Sequence, residues 1–358
     1  MNAQVEPLST LRPTQSPNPS QDKGSDKHAP CETPTVREGT LEVPGSISLY
    51  HGGTLDGMHI AWRLVGPANA PIVCALGGIS ANRRVCVTEN PREGWWSELV
   101  GADRPLCSNR FRILSFDYLG GSGESTGPLG DSPFPSISSY DQADVLLRVL
   151  NYLGIKSLRT LVGGSYGGMV ALAFGERYPE RVGQLLIIGA ADRAHPMSTA
   201  WRSVQRRMVR FAAENGHAKE GLQLARALAM STYRSSEEFS ARFAGGPTRV
   251  EDKFVFPVED YLFARGGDYA QRYRPESFLC LSESIDLHRV DAGRVFVPTV
   301  AVAVREDQLV PLNDIRAMVA RLPSGRLHEI SSIFGHDAFL KESEQLRSVF
   351  AAAIGGAT

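Results

Sequence analysis

The chain has 358 residues, a formal net charge of −1 and 42% hydrophobic residues, with 22% charged. That length suits one large domain with an insertion, or two small domains. The balanced charge gives no basis for recognising nucleic acid or an anionic membrane, and no apolar run approaches the roughly 20 residues that span a bilayer.

Residues 1–6 carry neither the basic nor the apolar region of a secretory signal, so none is expected. Residues 1–36 are rich in Pro, Ser, Thr and Gln. Such a composition buries too little surface to offset its ordering entropy, and a disordered tail is expected. From about residue 45 strand-like and helix-like segments alternate. Residues 72–76 read as a buried strand ending in Gly77-Gly78, and 111–117 as a second ending in Gly120-Gly121-Ser122-Gly123. Residues 141–153 place Val145, Leu146, Val149, Leu150 and Leu153 at helical spacing. A strand at 158–162 runs through a glycine-flanked serine into a helix at 169–178. Further strands are expected at 185–188, 299–304 and 327–330. Continuous apolar strands between helices imply an α/β class with a mostly parallel, doubly wound sheet covered on both faces. Between about 192 and 297 the strand signal stops, and 199–213, 222–230 and 277–287 read as helices. The expected organisation is a core of 37–191 and 298–358, with 192–297 as an inserted helical lid over the C-terminal edge of the sheet, where open α/β folds bind ligands.

The chemistry centres on Gly163-Gly164-Ser165-Tyr166-Gly167-Gly168. This is the G-x-S-x-G nucleophile elbow of α/β-hydrolase folds. A serine on so sharp a strand-to-helix turn brings its neighbours two positions away close together, and glycines at 163 and 167 remove the Cβ atoms that would clash. A serine hydroxyl needs a base and a group that orients the base. In this fold the chain order is serine, acid, histidine. Asp307 follows the 299–304 strand. Its competitors are Glu306, expected to face solvent, and Asp314, expected inside a helix that starts near Leu312. Of eight histidines, only His336 follows both Ser165 and Asp307 on a loop at a strand end. His51 and His59 are expected before the first core strands. The expected triad is therefore Ser165, Asp307 and His336. The oxyanion donors are expected at the backbone of Tyr166 and of Leu76 or Gly77.

No histidine stands at zinc-ligand spacing and no P-loop is present, so neither metal nor cofactor is expected. The five cysteines, Cys31, Cys74, Cys86, Cys107 and Cys280, are odd in number and lack C-x-x-C spacing. That pattern suggests free thiols in a reducing cytoplasm.

Several segments together resemble the homoserine O-acyltransferases of the α/β-hydrolase superfamily. They are Gly94-Trp95-Trp96, the run from Gly120 to Pro128, Gly163 to Met169, Gly221 to Arg226 with Thr232-Tyr233, and Gly335 to Leu340. The likeness runs from about residue 45 to the end. It implies acyl transfer from an acyl-CoA co-substrate to an amino-acid hydroxyl through an acyl-serine, in the methionine pathway. It also implies that Arg226 holds the substrate, that Asp337 receives the acceptor's amino group, and that the chain forms a homodimer through lid helices. Residues 75–81 and 281–291 are most similar to a succinylating branch. In many succinyl-specific members an arginine stands two residues after the triad aspartate; here that position is Leu309. Arg83 and Arg84, beyond the oxyanion loop, are the expected substitutes for that cation. Acetyl-CoA as donor, serine as acceptor, a plain serine esterase and a non-catalytic binding protein are the alternatives.

Overall fold

The structure, a computed structural model, describes residues 35–88, 94–130 and 133–355. The expected tail, apart from positions 35 and 36, lies outside the described residues, as does Cys31.

A hairpin opens the fold: β1 (Val36–Ser48), mostly exposed, and β2 (Thr54–Val65), buried over its second half, pair antiparallel. The apolar core strands follow, β3 (Ile72–Leu76) first. A short parallel pair, β4 (Val100–Gly101) and β5 (Leu106–Cys107), precedes β6 (Arg112–Phe116). Helix α1 (Ser139–Tyr152) starts on a capping box in which the Ser138 hydroxyl accepts from Asp141 N–H and the Asp141 carboxylate accepts from Ser138 N–H. It buries Val145, Leu146, Val149 and Leu150 against the sheet. Then come β7 (Thr160–Gly164), α2 (Tyr166–Arg177) and β8 (Leu185–Ile188). After the lid the core resumes with β11 (Thr299–Val304), α8 (Leu312–Val319), β12 (Gly325–Ile330), α9 (Ala338–Lys341) and α10 (Ser343–Gly355).

Eight strands form one sheet in the order β1-β2-β6-β3-β7-β8-β11-β12. The pairings from β6 to β12 are parallel. Strands β7, β8 and β11 are buried along their whole length, because helices cover both faces. All the parallel strands end on one edge. The loops carrying Gly77-Gly78, Ser165, Gly189, Asp307 and His336 therefore emerge side by side.

The lid consists of α3 (Pro196–Ala213), α4 (Ala218–Tyr233), α5 (Ser236–Arg242), a small hairpin of β9 (Thr248–Val250) and β10 (Lys253–Val255), α6 (Pro257–Ala270) and α7 (Pro275–Leu287). Val209, Leu222, Ala225, Tyr269, Ala270, Tyr273 and Phe278 give it a small apolar core of its own. The sequence reading is corrected in several places. The β1–β2 hairpin was not expected; His59 lies inside β2, ahead of the first core strand. The lid holds a hairpin where no strand was expected, and α6 was missed. Among the described residues no helix is long and apolar enough to cross a membrane.

Candidate active site

Ser165 sits between β7 and α2 with φ 53° and ψ −119°, a left-handed backbone that costs a non-glycine residue about 1–3 kcal/mol. The glycines around it make this possible. A Cβ on Gly163 would stand 2.2 Å from Gly167 O, and one on Gly167 would stand 2.4 Å from Leu76 O. Two backbone bonds fix the turn to the sheet edge: Ser165 N–H donates to Ile188 O (2.8 Å) and Gly167 N–H to Gly77 O (2.9 Å). The Tyr118 hydroxyl also donates to Gly77 O (2.7 Å). The loop after β3 is thus clamped against the elbow, with Leu76 and Gly77 in direct contact with it. Tyr166 is the first residue of α2, so its N–H has no helical acceptor. Leu76, Gly77 and Tyr166 therefore stand together beside the serine.

The Ser165 hydroxyl lies 2.8 Å from His336 Nε2, and His336 Nδ1 lies 2.7 Å from Asp307 Oδ2. Asp307 Oδ1 accepts from the N–H groups of Leu309 (2.8 Å) and Val310 (3.0 Å). Both aspartate oxygens are thereby occupied and the carboxylate cannot turn. Asp307 and His336 are buried. Burial on its own would lower the His336 pKa, but the charge and hydrogen bond of Asp307, with the charge of Asp337, outweigh it and raise the imidazole above its ordinary value. Glu306 does not face solvent as expected. Its carboxylate accepts from the Ser331 hydroxyl and from Ser332 N–H (2.7 Å), bracing the loop after β12. Asp314 is in the first turn of α8.

This relay opens into a cavity of about 240 Å³ between the sheet edge and the lid. Ile79, Trp95, Phe278, Ile285, Leu309 and Val310 form apolar wall; Arg193, Arg202, Arg226 and Asp337 supply the charges. Arg226 lies with its guanidinium 5.1 Å from the ring centre of Tyr233 and 4.7 Å from that of Tyr269. Burial would lower its pKa, but the fields of Tyr233, Tyr269 and Asp337 more than compensate. Asp337 Oδ2 accepts from Arg234 Nε (3.0 Å), and Arg234 Nη1 stands 3.5 Å from Glu238. Arg234 escaped the sequence reading; its approach to Asp337 spans 103 positions of chain.

The expectation for Arg83 and Arg84 is overturned, since neither lines the cavity. Arg83 is buried and bound to Asp117 and to Glu124 (2.8 Å), so it ties the oxyanion loop to the loop after β6. Arg84 points towards Glu38 of β1 (3.9 Å). Leu309 does face the cavity, as apolar wall. The cation that sequence reasoning missed is Arg202 on α3. Its Nε and Nη2 bond Asp286 Oδ1 at 2.8 and 2.6 Å, while Arg206 Nη1 takes Asp286 Oδ2 at 2.6 Å. Two guanidiniums thus share one carboxylate, leaving a surplus positive charge at the cavity wall.

The α/β hydrolase fold family matches residues 71–343 of the chain. Homoserine O-succinyltransferase of Xanthomonas campestris pv. campestris is 41% identical, over 91% of this chain and 86% of its own length. Serine O-succinyltransferase of Litchfieldella anticariensis is 30% identical, over 87% and 96% respectively. The crystal structure of homoserine O-acetyltransferase from Bacillus anthracis superposes with a TM-score of 0.82 at 17% identity, covering 89% of this chain and 97% of that one.

Proposed function

We infer that this chain, which belongs to the homoserine O-acyltransferases of the α/β hydrolase family, moves a succinyl group from succinyl-CoA to the hydroxyl of L-homoserine for methionine biosynthesis. The observation that carries the reading is that one cavity joins the serine relay to fixed charges of both signs. Water needs no such charges. A zwitterionic amino acid entering a desolvated pocket needs a cation for its carboxylate and an anion for its ammonium, and Arg226 and Asp337 are those partners.

The steps follow from the relay. Ser165 Oγ attacks the thioester carbonyl while His336 Nε2 takes its proton. The tetrahedral oxyanion rests on the N–H of Tyr166 and on that of Leu76 or Gly77. Its collapse expels the CoA thiolate, which leaves with the proton from His336, and the acyl group stays on Ser165. Homoserine then enters. His336 takes its hydroxyl proton, the alkoxide attacks the acyl carbonyl, and the proton returns to Ser165 as the ester departs. Asp307 holds the imidazole in the tautomer that both half-reactions require and stabilises the imidazolium.

A succinyl group adds a distal carboxylate. With Leu309 apolar and Arg83 and Arg84 outside the cavity, Arg202 is the cation that meets it. Arg202→Gln is expected to lower kcat/KM for succinyl-CoA by about 10- to 100-fold, the size of a lost charged hydrogen bond, and for acetyl-CoA by less than about threefold. Equal losses with the two donors would remove Arg202 from donor choice. The reading as a whole is tested by free-thiol release, crossing succinyl- and acetyl-CoA with homoserine and serine. Release that needs no acceptor would make the chain a hydrolase instead.

The remaining expectations concern setting and assembly. Cys74, Cys86, Cys107 and Cys280 are free thiols, which supports a reducing cytoplasm. Exposed Met197, Val204 and Phe211 recur every seven residues on one face of α3, which supports a homodimer through lid helices. Light scattering after size exclusion is expected to give twice the chain mass; a monomer at micromolar concentration would dispose of the dimer.

A further inference from the structure

The chain enters the lid just after β8 and leaves it just after α7, and the two crossings touch. Val290 N–H donates to Asp192 O (2.8 Å), and Arg193 and Arg289 form an isolated antiparallel bridge. Because the bond runs between their neighbours, Arg193 and Arg289 are a non-hydrogen-bonded pair. That is the closer kind of pair, with both side chains on the same face. Two like charges placed directly opposite are destabilising, and the local carboxylate does not cancel them. Asp192 is buried, and its Oδ2 is taken by Arg321 Nη2 at 2.8 Å while Arg193 Nε stands 3.9 Å away. Arg289 is exposed, and among the described residues it makes no ion pair.

Place in the cavity separates this pair from the cation assigned above to the acyl group. Arg202 is an interior wall residue, its side chain 12% exposed. Arg193 lines the same cavity with its side chain 55% exposed, so it stands at the mouth. Arg289 does not line the cavity; it is exposed beside Arg193 as its bridge partner, and two hydrated guanidiniums so placed next to the mouth suit a ligand whose phosphates stay in water while its other end goes in. We propose that Arg193 and Arg289 bind the phosphate groups of the CoA donor, holding its nucleotide end at the lid hinge while the thioester reaches Ser165. This rests on a CoA thioester being the donor. Guanidinium and phosphate meet as planar, charge-assisted forks, and an anion between the two arginines removes their mutual repulsion. Bound donor would therefore also hold the two crossings of the lid together.

The test is calorimetric titration of the full chain with CoA and with pantetheine, which lacks the phosphates. Wild type is expected to bind CoA the more tightly. Arg193→Ala/Arg289→Ala is expected to lose about tenfold in CoA affinity with a much smaller change for pantetheine, and Arg289→Ala alone a share of that loss. Equal affinity of wild type for the two ligands, or equal losses for both in the double variant, would overturn the proposal. Turnover gives a second readout: KM should rise alike for succinyl-CoA and acetyl-CoA, whereas a rise confined to succinyl-CoA would assign Arg193 to the acyl carboxylate and overturn it. Absence of homoserine-dependent thiol release from wild type would bear on the transferase reading alone, since the binding comparison needs no turnover.

Discussion

Ser165→Ala is expected to lower homoserine-dependent release of CoA by at least about 10⁴-fold, the scale on which loss of a triad nucleophile is felt. The relay leaves no substitute. His336 Nε2 has its one described partner in the Ser165 hydroxyl. Cys280, half-buried beneath the Gly120 loop, has its thiol pushed up to about 12 by desolvation and by the charge of Glu283, so it stays protonated and inert. The fold should survive the change. Alanine keeps the backbone at φ 53°, and the bonds that hold the elbow, Ser165 N–H to Ile188 O and Gly167 N–H to Gly77 O, involve no side chain. Mass spectrometry separates loss of chemistry from loss of binding. Wild type given acyl-CoA without acceptor should gain one acyl mass on the peptide containing Ser165, and the alanine variant should not. An acyl mass found on another residue, or activity within tenfold of wild type, would end the acyl-serine mechanism.

What the sequence disclosed of this site follows a physical line. Ser165 and Asp307 were legible because each follows an apolar strand and His336 because it follows the last strand, and the ends of parallel strands share one edge whatever the loops do. The position of Leu76, Gly77 and Tyr166 beside the elbow was legible for the same reason. The misreadings lie where direction mattered rather than position. Arg83 stands six residues past Gly77, close enough in sequence to reach an acyl group, yet Asp117 and Glu124 draw it into the far side of the loop. Glu306, next to Asp307, turns to Ser331 and Ser332, and nothing in a string of residues distinguishes that from a solvent-facing side chain. Arg202 was invisible for the opposite reason. It sits on a lid helix with other arginines at 206, 207 and 210, and only the fold shows that Arg202, and not those neighbours, lines the cavity. The β1–β2 hairpin was missed because its outer strand is exposed along most of its length, as edge strands with charged faces are, so it lacks the apolar run that marked the core strands.

Asp307→Asn carries the second large effect, about 10³- to 10⁴-fold in kcat, and here the hydrogen bonds predict a change of kind as well as size. Oδ1 accepts from Leu309 N–H and Val310 N–H. An asparagine oxygen can keep both bonds, which turns the amide nitrogen towards His336 Nδ1. An amide N–H there makes Nδ1 an acceptor and moves the ring proton to Nε2, so the atom facing Ser165 loses the lone pair it needs as a base. The charge leaves too. In the wild type burial pulls the His336 pKa down, and Asp307, with help from Asp337, pushes it up by more. The neutral imidazole is therefore lost as pH falls through a value above the ordinary histidine pKa of about 6.5. Without the Asp307 charge the burial effect is opposed by Asp337 alone, so the acid limb of the kcat/KM profile should move to lower pH while the plateau drops. Glu306→Gln is the control. It also removes one negative charge from the same loop, but from a carboxylate committed to Ser331 and Ser332, and it should leave the position of the acid limb where it is. If Asp307→Asn keeps its limb at the wild-type pH, or if Glu306→Gln shifts it further than Asp307→Asn does, then the orienting carboxylate has been misassigned between these two neighbours.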